Sequence, residues 1–147
     1  MTNHDSPDAI TARANQEDPI IMYLIVRASL NMSIGKTAAQ CAHAAQMILL
    51  KYMEFNKNEH STQLPPFSRE VYDLISDWLD HSFRKVVLRA NESEWNKIKL
   101  EIRERDRVMV VDAGLTEVEP GTETVIGLFP MYKSKAPRVI KRLQVLK

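Results

Sequence analysis

The chain has one cysteine, Cys41, among 147 residues. That excludes an internal disulfide and points to a reducing compartment, the cytoplasm. No apolar run approaches the roughly 20 residues that span a bilayer, so no transmembrane helix and no membrane partner are expected. Met1 to Asp8 lacks the basic start and apolar centre of a signal peptide. No His/Cys spacing suits a metal, and no internal repeat is visible. Net charge is also scarce, at +1, which by itself does not suggest a nucleic-acid partner.

What remains is an ordinary globular composition, 44% apolar and 27% charged, at a length that favours one domain. The charge is uneven. Residues 1–18 hold Asp5, Asp8, Glu17 and Asp18 against Arg13, which leaves the rest mildly basic. That stretch is aperiodic and reads as a disordered acidic tail, with a single domain over 19–147.

The pivotal stretch runs from Tyr23 to Ala45. Ile20 to Arg27 is a near-continuous apolar run, expected as a strand buried on both faces. Polar residues and Gly35 follow, then an alanine-rich helix to about Met53. In that helix Ala38, Ala42 and Ala45 form a small-residue face suited to close approach. Lys36, Gln40 and His43 form a second stripe. A strand feeding a helix N-terminus is a ready anion site, because free N–H groups and the positive dipole end coincide.

The rest alternates. Residues 55–67 read as a loop and 68–79 as an amphipathic helix. Residues 84–89 form a second strand. Asn91 and Glu94 stand in capping-box positions for a helix to about Arg105. Residues 107–112 form a third strand, and Pro120-Gly121 suits a type II turn. Residues 124–129 form a fourth strand, and 137–143 a last helix. The expected order is β-α-α-β-α-β-β-α, a small mixed sheet of about four strands with helices on both faces.

Ligands of open α/β sheets bind beyond the carboxyl ends of the strands. Lys36 follows strand one and Asp112 ends strand three. Strand four should return antiparallel, bringing Thr124 to the same edge. A cation, a carboxylate and a hydroxyl can bind a phosphate or position a water. Gly35-Lys36-Thr37 imitates a nucleotide-binding P-loop, but the glycine required five residues earlier is Leu30.

Gly35-Lys36-Thr37-Ala38-Ala39-Gln40-Cys41-Ala42-His43-Ala44, with Asp112-Ala113-Gly114-Leu115-Thr116 and Glu119 to Gly127, resembles the type 2 (archaeal/eukaryotic-type) peptidyl-tRNA hydrolases. The resemblance covers Tyr23 to Leu146. It implies a three-layer α/β/α fold, often a homodimer. It also implies metal-independent hydrolysis, with no cofactor, of the ester between peptide and tRNA. Matched by position, the family's functional lysine falls on Lys36, its aspartate on Asp112 and its threonines on Thr116 and Thr124. Gln40 and His43 match its helix motif. Ser33 and Phe129 stand where the family commonly has glycine, and both are expected to make the rim bulkier.

On this reading Lys36, Asp112 and Thr124 are catalytic. Asp112 serves a water, Lys36 an anion, and Thr124 gives a hydrogen bond. Thr116, Gln40, His43, Lys133 and Arg138 are candidate substrate contacts. All but Thr116 have a plainer alternative: His43 a hydrogen-bonded histidine in a packed interior, Gln40 a cap on a neighbouring backbone group, and Lys133 to Arg142 a solvated basic face. Cys41, Trp78 and Trp95 read as core. The alternative function is a non-catalytic RNA- or protein-binding module on the same fold.

Overall fold

The computed structural model describes residues 17–57, 68–114 and 117–147. Among them are six strands and four α-helices in one open mixed sheet. They are β1 (Ile20–Arg27), α1 (Ile34–Lys57), α2 (Arg69–Asp80), β2 (Lys85–Ala90), α3 (Glu92–Glu101), β3 (Arg107–Val111), β4 (Glu123–Leu128), β5 (Met131–Tyr132), α4 (Arg138–Lys141) and β6 (Gln144–Val145). The sheet order is β3-β4-β1-β2-β6, with β5 also paired to β1.

The sheet is larger than the expected four strands. The element order becomes β-α-α-β-α-β-β-β-α-β. Both additions are two-residue strands, too short to leave any alternation in the sequence. β5 pairs Ile20 with Tyr132 and Ile21 with Met131, after the break at Phe129-Pro130. β6 pairs antiparallel with β2, Leu88 with Val145 and Arg89 with Gln144.

β1 organises the sheet because it is apolar on both faces, and Ile21 to Val26 are all buried. Ile21, Tyr23 and Ile25 meet Trp95 and Ile98 of α3 with Val139 and Ile140 of α4. Met22, Leu24 and Val26 meet Ala44 and Ile48 of α1 with Ile75 and Trp78 of α2. The sheet therefore lies between two helical layers, and each fully buried aliphatic side chain contributes about 1.5–3 kcal/mol.

β1 and β2 are parallel, from Met22 against Lys85 to Arg27 against Ala90. β4 is antiparallel to both β1 and β3. The carboxyl ends of β1, β2 and β3 thus share one edge with the start of β4, the convergence expected from topology.

The local signals explain most boundaries. Asn91 Oδ1 accepts from the Glu94 N–H at 2.8 Å, and Glu94 Oε1 accepts from the Asn91 N–H at 3.0 Å, which completes the capping box. α3 stops at Glu101 instead of Arg105, and its stripe ends where Ile102 turns extended. The Glu119–Thr122 turn closes with the Thr122 N–H donating to the Glu119 carbonyl at 3.2 Å, and Gly121 takes φ 81°.

The small-residue face of α1 is not the one expected. Ala38 and Ala42 are exposed, whereas Ala44 is fully buried. The close approach runs through Ala44 against Gly127 of β4. A Cβ on Gly127 would lie 2.8 Å from Val108 Cγ2, 3.1 Å from Ile48 Cδ1 and 3.3 Å from Ala44 Cβ. Alanine occurs all around this helix, so its spacing does not tell which side faces the sheet. Asp18, the end of the acidic stretch, accepts from the Ser134 N–H at 2.9 Å and the Ser134 hydroxyl at 2.5 Å. Residues 1–16 lie outside the described residues.

Candidate active site

β1 ends in a short 3-10 turn, Ala28–Leu30, and Asn31 reverses the chain at φ 48°, a conformation asparagine tolerates. Ser33 then caps α1. Its hydroxyl accepts from the Lys36 N–H at 3.2 Å, and its carbonyl accepts from the Thr37 N–H at 2.9 Å. The Ser33 N–H donates to Glu117 Oε2 at 2.8 Å, and its hydroxyl donates to the same carboxylate. The anion site expected at this helix N-terminus is thus filled by the chain's own carboxylate. The Ser33 hydrogen bonds hold the Glu117 carboxyl below the usual range, with help from the Lys36 charge. Sequence reasoning missed Glu117, and no spacing signal marks it.

Lys36 stands in the first turn of α1 and Asp112 directly follows β3. Lys36 Nζ donates to Asp112 Oδ1 at 2.6 Å, and both side chains are largely buried, 11% and 7% exposed. Gln40 Nε2 donates to the same oxygen at 3.3 Å, while the Gly114 N–H donates to Oδ2 at 2.7 Å. Gly114 takes φ 78°, and a Cβ there would meet the Pro120 backbone N at 2.4 Å, so only glycine presents this donor. Thr124 Oγ1 donates to Gln40 Oε1 at 2.5 Å, with a longer contact to the Val110 carbonyl at 3.3 Å.

The order of these bonds matters. Thr124 claims the carbonyl end of the Gln40 amide, so the amide's N–H₂ faces Asp112. Thr124 is fully buried and Gln40 is 3% exposed. Both are closed to solvent here: Gln40 bonds Asp112, and Thr124 bonds Gln40. The Asp112 carboxyl sits below the usual carboxylate range, first through the Lys36 hydrogen bond and next through the Gly114 N–H, with burial acting against both. It is therefore ionised at neutral pH. Among the described residues three of its roughly four acceptor positions are taken, and the fourth is on Oδ2. Lys36 has two further N–H bonds to offer.

Residues 20–146 match the family Peptidyl-tRNA hydrolase PTH2. The chain belongs to that family. A peptidyl-tRNA hydrolase of Thermoplasma acidophilum is 34% identical over 131 residues, which cover 85% of this chain and 97% of the relative. One from Methanopyrus kandleri is 32% identical over 127 residues, covering 84% and 96%. One from Methanococcus maripaludis is 30% identical over 129 residues, again covering 84% and 96%.

In this member of the Peptidyl-tRNA hydrolase PTH2 family the other candidates are scattered. His43 is exposed on α1, not in a packed interior, because the helix turns Cys41, Ala44 and Ile48 to the sheet instead. Its charge helps to lower the Asp112 carboxyl. Thr116 lies outside the described residues. Lys133 is at the opposite edge of the sheet, where its N–H donates to the Pro19 carbonyl beside the start of β1. Arg138 opens α4 on the exposed surface. Arg142, by contrast, returns to the rim, where it lines a polar pocket with Arg89, Asn91, Glu94 and Gln144. The basic run that looked like one face is split between two edges.

Phe129 is buried among α1 and α2 side chains beyond the end of β4, far from the rim it was expected to crowd. Ser33 does stand at the rim, as the cap described above. Cys41 is buried, and burial pushes its thiol up, so it is a poor nucleophile. Among the described residues no group of three or more His, Cys, Asp or Glu side chains is placed to hold a metal, and no helix is long and apolar enough to cross a membrane.

Proposed function

We propose that the Lys36–Asp112 corner hydrolyses the ester joining a peptide to the terminal ribose of tRNA, freeing tRNA from aborted translation. The observation that carries this reading is the buried carboxylate–lysine pair at the strand-end rim, in a chain of this family. Asp112 offers its unclaimed Oδ2 position to a water and holds it toward the ester carbonyl. A carboxylate with a lowered pKa orients a water better than it removes its proton. As the water oxygen adds to the carbonyl carbon, Lys36 meets the developing oxyanion with its remaining N–H bonds. The tetrahedral intermediate then collapses, the ester C–O bond to the ribose breaks, and the ribose oxygen leaves with the proton given up by the added water.

Gln40 and Thr124 act as positioning residues in this proposal, His43 borders the substrate, and Thr116 is kept as a candidate substrate contact from the family resemblance. Arg89 and Arg142 hold phosphates at the rim, where each contact adds salt-dependent affinity without reading sequence. Lys133 and Arg138 reach the same polyanion farther out. The reading includes no metal or other cofactor, cytoplasmic residence, an acidic tail over 1–18, a single domain over 19–147, and homodimers.

The test is release of tRNA from purified peptidyl-tRNA. Turnover should persist in EDTA. Asp112→Asn should slow the chemical step by roughly 10²-fold or more, with tRNA binding retained or tighter. Lys36→Ala should also weaken binding and flatten its salt dependence by about one ion. Intact substrate at high enzyme would favour the binding module. Parental rates in both folded variants would show that this corner is not the active site.

A further inference from the structure

Resting on the hydrolase reading, we infer that the peptide end of the substrate lies in the groove between α1 and the outer edge of β3. Among the described residues β3 ends the sheet, so its outward backbone N–H and C=O groups have no neighbouring strand. α1 runs beside it, and His43, Met47 and Leu50, at i, i+4 and i+7, share one stripe. They face Met109, Val110 and Val111 across a groove of about 530 Å³. Leu50 is 50% exposed and Val111 is 56% exposed, two large apolar side chains left in water.

Three observations select a peptide as the occupant. The groove begins at the reacting centre, since Val111 immediately precedes Asp112 and His43 is one turn beyond Gln40. The rim is also polarised. Arg89 and Arg142 stand at the β2/β6 end, about 15 Å or three strand spacings from β3. Phosphates belong at that end, because the α1–β3 groove is walled by Met, Leu and Val apart from His43 and Gln46, and has no Lys or Arg among its lining residues. Finally, the seven helical steps from His43 to Leu50 rise about 10 Å, the span of about three extended residues. A free strand edge pairs with any backbone, and methionine adapts to varied side chains, which suits a peptide of arbitrary sequence.

Two substrates on the same tRNA test this: an N-acetyl-aminoacyl-tRNA, which stops short of Leu50, and a peptidyl-tRNA with four apolar residues. The parent should show a lower KM for the longer one. Leu50→Glu should raise that KM by roughly tenfold, with kcat retained and the short substrate unaffected. Leu50→Ser should give a smaller shift in the same direction. Equal effects on both substrates, or on neither, would overturn the groove while leaving the hydrolase reading intact. Failure of the parent to cleave either substrate would overturn the hydrolase reading, and the groove with it. Sedimentation velocity adds a third arm: a parental dimer that Leu50→Glu dissociates would assign this face to a second copy and overturn the peptide assignment.

Discussion

Thr124→Val is the most informative single change, because the hydroxyl it removes is fully buried and, among the described residues, hydrogen-bonds only with Gln40 and the Val110 carbonyl. Valine keeps the branched shape and suits the strand. Gln40 Oε1 then loses its donor in a site closed to water, which costs about 1–3 kcal/mol. For a chain of this length that lowers Tm by roughly 3–4 °C per kcal/mol. The amide is also free to rotate, and a rotated amide would set its carbonyl against the Asp112 carboxylate. Asp112 would shift, and small misplacements of a reacting group cost up to roughly 10²-fold in rate. Thermal unfolding and steady-state hydrolysis read the two effects separately. KM should stay near its parental value, since Thr124 is closed to substrate. Thr124→Ser, which restores the donor, should recover most of kcat. Parental Tm and kcat in Thr124→Val would refute the chain of orientation from Thr124 through Gln40 to Asp112. A rise in KM without loss of kcat would instead place Thr124 against the substrate.

Other outcomes follow from the same geometry. Glu117→Gln removes a negative charge from the N-terminus of α1, so RNA should bind more tightly, most visibly at low salt, in filter-binding titrations. Gly127→Ala places a methyl 2.8 Å from Val108 Cγ2 and should cost about 1–3 kcal/mol in urea unfolding. The Glu92 carboxyl is lowered from 4.5 to about 2, chiefly by hydrogen bonds from Arg27 and then Ser29. Its contribution to stability is therefore complete above its ordinary value and is lost as pH falls toward about 2. Urea midpoints of Glu92→Gln should fall less steeply than those of the parent over that acid range.

Much of this was legible in the residues. Continuous apolarity marked β1 as buried on both faces, and Asn91 with Glu94 marked the start of α3. The alternation of helices with strands was enough to bring Lys36, Asp112 and Thr124 to one edge. Other features carry no local signature. A two-residue strand has no period, so β5 and β6 were invisible. An alanine-rich helix has no distinctive side, so an interior place for His43 stayed open as an alternative and the wrong alanines were given the close contact. The direction in which Thr124 gives its proton depends on Gln40, 84 positions away. Glu117 reaches Ser33 across the same separation, through a loop whose spacing is unremarkable. Basic residues close in sequence parted because α4 carries the chain from one edge of the sheet back to the other.

The two borders of the sheet are defended differently. At the β2 side a two-residue strand, β6, partly covers the six-residue β2, and Arg89 and Lys147 line the same surface, so a stray strand meets a short edge and positive charge. At the other side β3 presents five residues with an exposed Val111 at its tip. Such a border invites chance association with partly folded neighbours, and proteins commonly blunt it. Concentrated or heat-stressed protein should accordingly begin to aggregate through β3, and a lysine introduced at Val111 should delay it.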